Sequence, residues 1–304
     1  MDKIDGATAS FRKVEAYDQS LCPWCGARPD KAVFADGQAI DSPLLRQAPW
    51  ADAALLSWQC QACGETVYDV EISLVAEAPY GTTLLNDHVI QLTRYRFVNA
   101  YLVREDDGFT LVDTTVGGAA DDLIAAAEAA GGQIRRIALT HGHGDHVGSV
   151  EGLKQKLGQN VEVLLGETDA RILAGEKVVD GKLPGSWPKV QWAPDVRLAP
   201  GDRVGSLEVV ASPGHTPGHV SFLDTRDRTL IAGDVFTSYG QVAVTNGFYW
   251  RFPFAAMATW DKSRDAESAR ALRALDPALL VVGHGPATAN PGEAMDKAIA
   301  RASG

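Results

Sequence analysis

The stretch Thr140 to Ser149 reads THGHGDHVGS and places three histidines and an aspartate within six residues, with glycines as the spacers. A packed core has no use for so many ligand-type side chains in so little chain. Along an extended segment, side chains two apart project to the same side, so His141 and His143 reach one ion together while Gly142 and Gly144 leave room for it. Gly144 then allows a turn, which brings Asp145 and His146 to a second ion close to the first. Imidazoles and a carboxylate are what zinc takes in catalytic sites, and iron, manganese or cobalt can occupy the same set. Six residues cannot saturate two ions, so further ligands are expected on other strand ends. His215 and His219 in SPGHTPGHVS, Asp234 in IAGDVF and His284 in VVGHGP each follow an apolar run, as a site on the rim of a sandwich requires. His88 fits no such pattern and reads as a solvated or strand histidine.

From Thr82 onward, short apolar runs alternate with helical segments. HVIQLTRY, VNAYLVRE and FTLVDTT read as strands, the last two joined across Asp106-Asp107-Gly108, a hairpin signal. GAADDLIAAAEAAGG reads as a helix closed by glycine, IRRIALT as a strand, HVGSVEGLKQKLG as a helix and VEVLLGE as a strand. LEVVASP, HVSFLDT and RTLIAGD are closely spaced strands, a helix spans roughly Thr259 to Ala274, and ALLVVGH is a final buried strand. The pattern is mixed α/β.

With HGHGDH followed in order by His215, Asp234 and His284, residues 79-304 resemble the metallo-β-lactamase superfamily. The resemblance implies a four-layer αββα sandwich with two metal ions at one edge between the sheets. Carried over residue by residue, it implies that His141, His143 and His215 bind the first metal, that Asp145, His146 and His284 bind the second, and that Asp234 bridges them. Asp113 in LVDTT matches an aspartate that organises the site without binding metal. His219 matches the second histidine of the GHTPGH block, open between a hydrogen-bonding role behind the ligands and a direct catalytic one. The block SPGHTPGHVSFLDTRDRTLIAGD is most similar to the hydrolase branch that contains glyoxalase II and lactonases. The implied reaction is attack of a metal-bridging hydroxide on an ester, lactone or thioester carbonyl, with two zinc ions or alternatively iron or manganese, and Asp145 as proton carrier. Quorum-quenching lactonases carry a tyrosine three residues after the bridging aspartate, where this chain has Thr237; that argues against an acyl-homoserine lactone.

All four cysteines lie in the first quarter, as Cys22-Pro-Trp-Cys25-Gly and Cys60-Gln-Ala-Cys63-Gly. Two such corners around one ion make a closed tetrahedral site, so residues 1-78 read as a zinc-ribbon-like module with one structural zinc. Redox-active pairs, disulfides and a rubredoxin-like iron are the alternatives. ETVYDVEISLV reads as the strand that closes this module. Six basic against twelve acidic residues there, and 22 against 27 in the remainder, leave no positive footprint for nucleic acid. At 304 residues and 45% hydrophobic, the chain can bury a sizeable core. It shows neither a signal sequence nor an apolar run of bilayer length, so a cytoplasmic protein with a small-molecule substrate and no membrane partner is expected; homo-oligomerisation is left open.

Two other classes fit the residues less well. Flavodiiron-like oxidoreductases typically have glutamate where this chain has His143, and a non-catalytic scaffold would be expected to lose ligands, none of which is missing. Substrate contacts are expected from aromatic segments: Trp187, Pro188 and Trp192, then FTSYGQVAVTNGFYWRFPF with Tyr239, Trp250 and a candidate polar-head partner in Arg251.

Overall fold

In the computed structural model the chain divides into two compact units, Met1–Ala78 and Pro79–Gly304. The structure describes residues 81–158, 161–247, 249 and 253–302, together with the backbone of strands at 32–34, 52–60 and 66–73. Those three strands, β1 (Ala32–Phe34), β2 (Asp52–Cys60) and β3 (Thr66–Ser73), form an antiparallel sheet in the order β1-β2-β3, with Ala32 paired to Cys60 and Gln59 to Thr66. β3 falls within ETVYDVEISLV. Cys60 ends β2, while Cys22, Cys25 and Cys63 lie outside the described residues.

The second unit is built on two sheets. The first runs β10-β9-β8-β7-β6-β5-β4, from β4 (Gly81–Leu84), β5 (Val89–Arg94), β6 (Val98–Glu105), β7 (Gly108–Val112), β8 (Ile134–Leu139), β9 (Glu162–Gly166) and β10 (Val196–Leu198). It is antiparallel from β4 to β7 and parallel from β7 to β10. The β6–β7 hairpin turns at Asp106-Asp107, with Glu105 paired to Gly108. The second sheet runs β11-β12-β13-β14-β17-β18, from β11 (Arg203–Val204), β12 (Leu207–Ala211), β13 (Val220–Asp224), β14 (Thr229–Ile231), β17 (Leu279–Val281) and β18 (Thr288–Ala289). A small hairpin, β15 (Phe236–Thr237) with β16 (Ala243–Val244), follows β14.

Side-chain alternation separates three cores. Tyr101, Val103, Val112, Ala138 and Leu164 point inward and meet Val209, Phe222, Ile231 and Val281 of the second sheet. Their neighbours Leu102, Leu111, Ile137, Leu139 and Leu165 point the other way, onto α1 (Ala120–Ala129) and α3 (Val150–Leu157) through Leu123, Val150 and Leu153. On the far face of the second sheet, Leu230, Leu280 and Val282 pack on α6 (Lys262–Ala274) and α7 (Gly292–Ala302) through Ala269, Leu272, Met295 and Ala298. A strand buried on both faces must be apolar throughout, which is why these segments are continuous apolar runs. The result is the αββα order of layers that the resemblance implies. Among the described residues no helix is long and apolar enough to cross a membrane.

Two helices differ from expectation. HVGSVEGLKQKLG is two helices, α2 (Gly144–Val147) and α3, broken at Gly148-Ser149. There the Gly148 amide donates to Thr115 O, and the Ser149 amide donates to Thr114 Oγ1, so neither amide is left for a helical ladder. α6 starts at Lys262 rather than Thr259, because the Asp261 carboxylate accepts from the amides of Ser263 and Arg264 and caps it there. α4 (Glu167–Leu173), α5 (Pro253–Ala258) and α7 are helices that the segments read from sequence do not include.

Candidate metal centre

Six of the seven histidines converge at one edge of the sandwich. Each comes from the end of an element. β8 leads through Thr140 into an extended His141-Gly142-His143, and His143 precedes α2, so Asp145 and His146 sit in one helical turn. His215 and His219 lie between β12 and β13, Asp234 follows β14 and His284 follows β17. A Cβ at Gly283 would overlap Asp234 Oδ1, and one at Gly185 would overlap the His143 ring, so these two glycines let chain and ligands approach.

Three groups of donor atoms have all members within 4.8 Å of one another: His141, His143 and His215; His141, His146 and Asp234; Asp145, His146 and His284. Asp234 reaches both sides, with Oδ2 3.5 Å from His215 Nε2 and 3.2 Å from His284 Nε2, and Oδ1 3.5 Å from His146 Nε2. Asp145 Oδ2 lies 3.4 Å from His284 Nε2.

The outer nitrogen of each candidate ligand histidine is held by an oxygen. His141 Nδ1 meets Thr140 Oγ1 at 3.0 Å, and because that hydroxyl donates to Asp113 it must accept from the imidazole. His215 Nδ1 meets Thr259 Oγ1 at 3.1 Å, whose hydrogen goes to the carbonyls of Thr245 and Ala255. His146 Nδ1 donates to Asp113 Oδ2 at 2.8 Å, His284 Nδ1 to Phe97 O at 3.0 Å and His143 Nε2 to Pro184 O at 3.3 Å. The tautomers follow: five inner nitrogens face the site and each other. His143 Nδ1 and His215 Nε2 face one another at 3.1 Å, two lone pairs that need a cation or a shared proton between them. His141 Nε2, His146 Nε2 and Asp234 Oδ1 are buried with no hydrogen-bond partner. Buried polar atoms without partners are costly, and the donor set of imidazoles and carboxylates is one a pair of divalent ions satisfies. The residues present fit a two-metal group.

Charge agrees with geometry. Burial pulls His141 and His215 well below the usual histidine range and His143 down to about 4, so they offer lone pairs. Burial acts on His284 in the same direction, but Asp234 and Asp145 outweigh it and push it up to about 10. Burial also opposes protonation of His146, and Asp234, Asp113 and Asp145 overcome it. Two carboxylates in a buried site thus demand compensating positive charge.

Other singled-out residues sit behind these. Asp113 accepts from the Thr140 amide and hydroxyl, both at 2.8 Å, and from His146; it adopts a left-handed φ of 60°, which aspartate tolerates better than most residues. His219 is buried, its Nε2 accepts from the Asp234 amide at 3.1 Å, its Nδ1 meets Ser212 Oγ at 2.9 Å, and its ring stacks on His141. Both its nitrogens are spent on the protein. Thr237 donates to the His284 carbonyl at 2.9 Å. Asp169 of α4 was invisible in the sequence: it accepts from the amides of Gly142 and Gly218 and the hydroxyl of Thr216, tying the HGH segment to the GHTPGH loop. Thr259 and Asn99 were equally unmarked; Asn99 Nδ2 donates to the carbonyls of Val282 and Gly285 on either side of His284.

Above the centre is a cavity of about 590 Å³ lined by His143, Asp145, His215, Asp234 and His284 below and by Phe97, Val116, Gly144, Ser186, Ala255 and Ala258 around it. Trp187 packs edge-on against His143, with ring centroids 5.1 Å apart. Tyr239, 40% exposed, does not line this cavity, and Trp250 and Arg251 lie outside the described residues.

A sandwich with such a centre on its edge defines a class. Residues 93–284 match the family model of the metallo-beta-lactamase superfamily, and the chain belongs to that superfamily. It is 42% identical over 211 residues to the uncharacterized protein YobT of Bacillus subtilis, spanning 67% of this chain and 90% of YobT. It is 37% identical over 131 residues to a hydroxyacylglutathione hydrolase of Rhodopseudomonas palustris, 42% of this chain and 44% of that enzyme. The crystal structure of TTHA1623 in a di-iron-bound form is similar at 28% identity and a TM-score of 0.52, covering 66% of this chain and 94% of that one.

Proposed function

We propose that this protein is a binuclear metal-dependent hydrolase acting on an ester, lactone or thioester carbonyl. The observation that carries the reading is the set of five histidine inner nitrogens whose outer nitrogens are all held by oxygens, converging with Asp145 and Asp234 on one centre, where His143, His215, His284 and both carboxylates line the cavity. His141, His143 and His215 would hold one ion and Asp145, His146 and His284 the other, with Asp234, within 3.5 Å of donors of both groups, available to both. When bound, a pair of divalent ions supplies an acidified water and Lewis-acid polarisation of the scissile carbonyl. The protein's part is to hold the ligand rings in one tautomer through Thr140, Thr259, Asp113 and the carbonyls of Phe97 and Pro184, and to face the substrate with Asp145. Burial raises the Asp145 carboxyl, but His146 and His284 hold it well below the usual range, and its side chain is 35% exposed. An anionic carboxylate so placed would take the proton that the attacking water gives up as it bonds to the carbonyl carbon and pass it to the departing oxygen or sulfur.

The hydroxyacylglutathione hydrolase relative supports the thioester arm of this reading, and the di-iron form of TTHA1623 makes iron the alternative to zinc. The spacing of Cys22, Cys25, Cys60 and Cys63 supports a second proposal, that these four thiolates would hold one structural zinc. The test is metal analysis of the untagged protein, then turnover of a panel of esters, lactones, thioesters and phosphodiesters by wild type and Asp234→Asn. Two ions in the histidine site and carbonyl hydrolysis lost in Asp234→Asn are expected. Fewer than two ions there at saturation, or turnover confined to phosphodiesters, rejects the reading.

A further inference from the structure

Building on the hydrolase reading, we propose that the cavity over the centre is an acyl site for a neutral, apolar acyl group, whose length Phe97, Val116, Ala255 and Ala258 set. The cavity, at about 590 Å³, falls in the range of roughly 300–1,000 Å³ typical of small-molecule sites. Its polarity is divided. The floor is His143, Asp145, His215, Asp234 and His284, and apart from Gly144 and Ser186 the walls are apolar: Phe97 from the turn between β5 and β6, Val116 from the segment after β7, and Ala255 and Ala258 from α5. Ala255 and Ala258 are three apart on a helix and so face the same side, and their small side chains leave that volume open.

The charges lining the cavity point the same way. Among the described residues, the titratable side chains on its surface are Asp145, Asp234, His143, His215 and His284, with no lysine or arginine. Two divalent ions would more than offset these two carboxylates, but that charge sits at the floor; among the described residues the walls offer no lysine or arginine to receive an anion at the far end of an acyl group. A hydrocarbon meets Phe97 and Val116 there instead. Two of these three wall elements also carry apolar side chains that remain open to solvent: Phe97 is 37% exposed, its neighbour Tyr95 55%, and Met257 of α5 71%. Phe97 joins both halves of the site, since its carbonyl holds His284 while its side chain lines the wall.

Each methylene moved from water onto such a wall strengthens binding about fourfold. The experiment uses the full, zinc-loaded chain and two readouts. Dissociation constants for straight-chain carboxylates from acetate to octanoate, and for succinate, are measured by isothermal titration. kcat/KM is measured for aryl esters of the same acids. In wild type, affinity should rise about threefold to fourfold per methylene from acetate to hexanoate, and succinate should bind more weakly than butyrate. Ala258→Phe should flatten the series beyond butyrate, and Phe97→Ala should lower the gain per methylene. A flat series in wild type, succinate binding more tightly than butyrate, or both variants keeping the wild-type slope overturns the proposal. Absence of turnover of any ester, lactone or thioester is a failure of the hydrolase reading instead, and the titration series still decides the acyl site.

Discussion

Replacing Asp169 with asparagine leaves the side-chain shape unchanged but takes an acceptor from a buried cluster of three donors. In wild type, Oδ2 accepts from the Gly142 amide at 2.9 Å and the Thr216 hydroxyl at 2.6 Å, while Oδ1 accepts from the Gly218 amide at 2.6 Å. Asp169 is fully buried. Whichever way the asparagine amide is turned, its NH2 faces a donor. The less costly orientation leaves the Gly218 amide and one side-chain N–H without acceptors. At about 1–3 kcal/mol for each orphaned buried group, the loss is about 2–5 kcal/mol. For a unit of this size that lowers the melting temperature by about 5–15 °C. Gly218 belongs to the loop that carries His215, so freeing it should also weaken metal binding by about 10-fold to 100-fold, as for other groups that orient ligands. The assay is thermal unfolding of zinc-loaded and zinc-free protein, with zinc affinity measured by chelator competition. Zinc-free protein should show the drop as well, because the clamp contains no ligand. An unchanged melting temperature would refute the hydrogen-bond accounting. A lower melting temperature with unchanged zinc affinity would show that Asp169 staples two loops without positioning the ligands.

Asn99→Ala should destabilise the second unit by about 2–4 kcal/mol, because Asn99 bonds the carbonyls of Val282 and Gly285 and accepts from Gln91 and Thr93. In a stepwise zinc titration it should weaken the ion on the His284 side more than the other; equal weakening of both would count against a specific hold on that loop. Cys60→Ser should release one zinc and leave carbonyl hydrolysis largely intact, and loss of zinc from the histidine site in that variant would show the two metal sites to be linked. Burial works against the Asp195 carboxylate, but Lys154 at 2.9 Å and the Val163 amide at 2.9 Å hold it below the usual range. A depressed folded value gives stability that is present above about pH 4 and lost as pH falls through it, so Asp195→Asn should destabilise by under about 1 kcal/mol at pH 7 and by less at pH 3. Urea midpoints at the two pH values check it, and an equal difference at both contradicts the electrostatic cause.

How much of this was legible beforehand follows the range of the interactions. The extended-then-turned course of His141 to His146 could be read because it depends on spacing and on Gly144, and the structure shows the extended segment passing into α2 at that glycine. The strand segments of both sheets were legible for a similar reason: burial on two faces forces apolar runs, and the Asp106-Asp107 turn closes the hairpin it signals. What remained hidden lies between residues distant in the chain. Asp169 stands in an unremarkable GETDAR segment, and its partners are 27 to 49 residues away. Phe97 O meets His284 across 187 residues, and Thr259 meets His215 across 44. The break at Gly148-Ser149 depends on the loop at 114–117, which claims the amides a helix would have used. Backbone carbonyls and single hydroxyls carry no compositional mark. The sequence by itself therefore determined the donor types, their local spacing and the layers that would bury them. Only the tertiary structure decided which nitrogen of each ring faces inward and what lines the cavity above, because both depend on atoms that folding alone brings within a few ångströms.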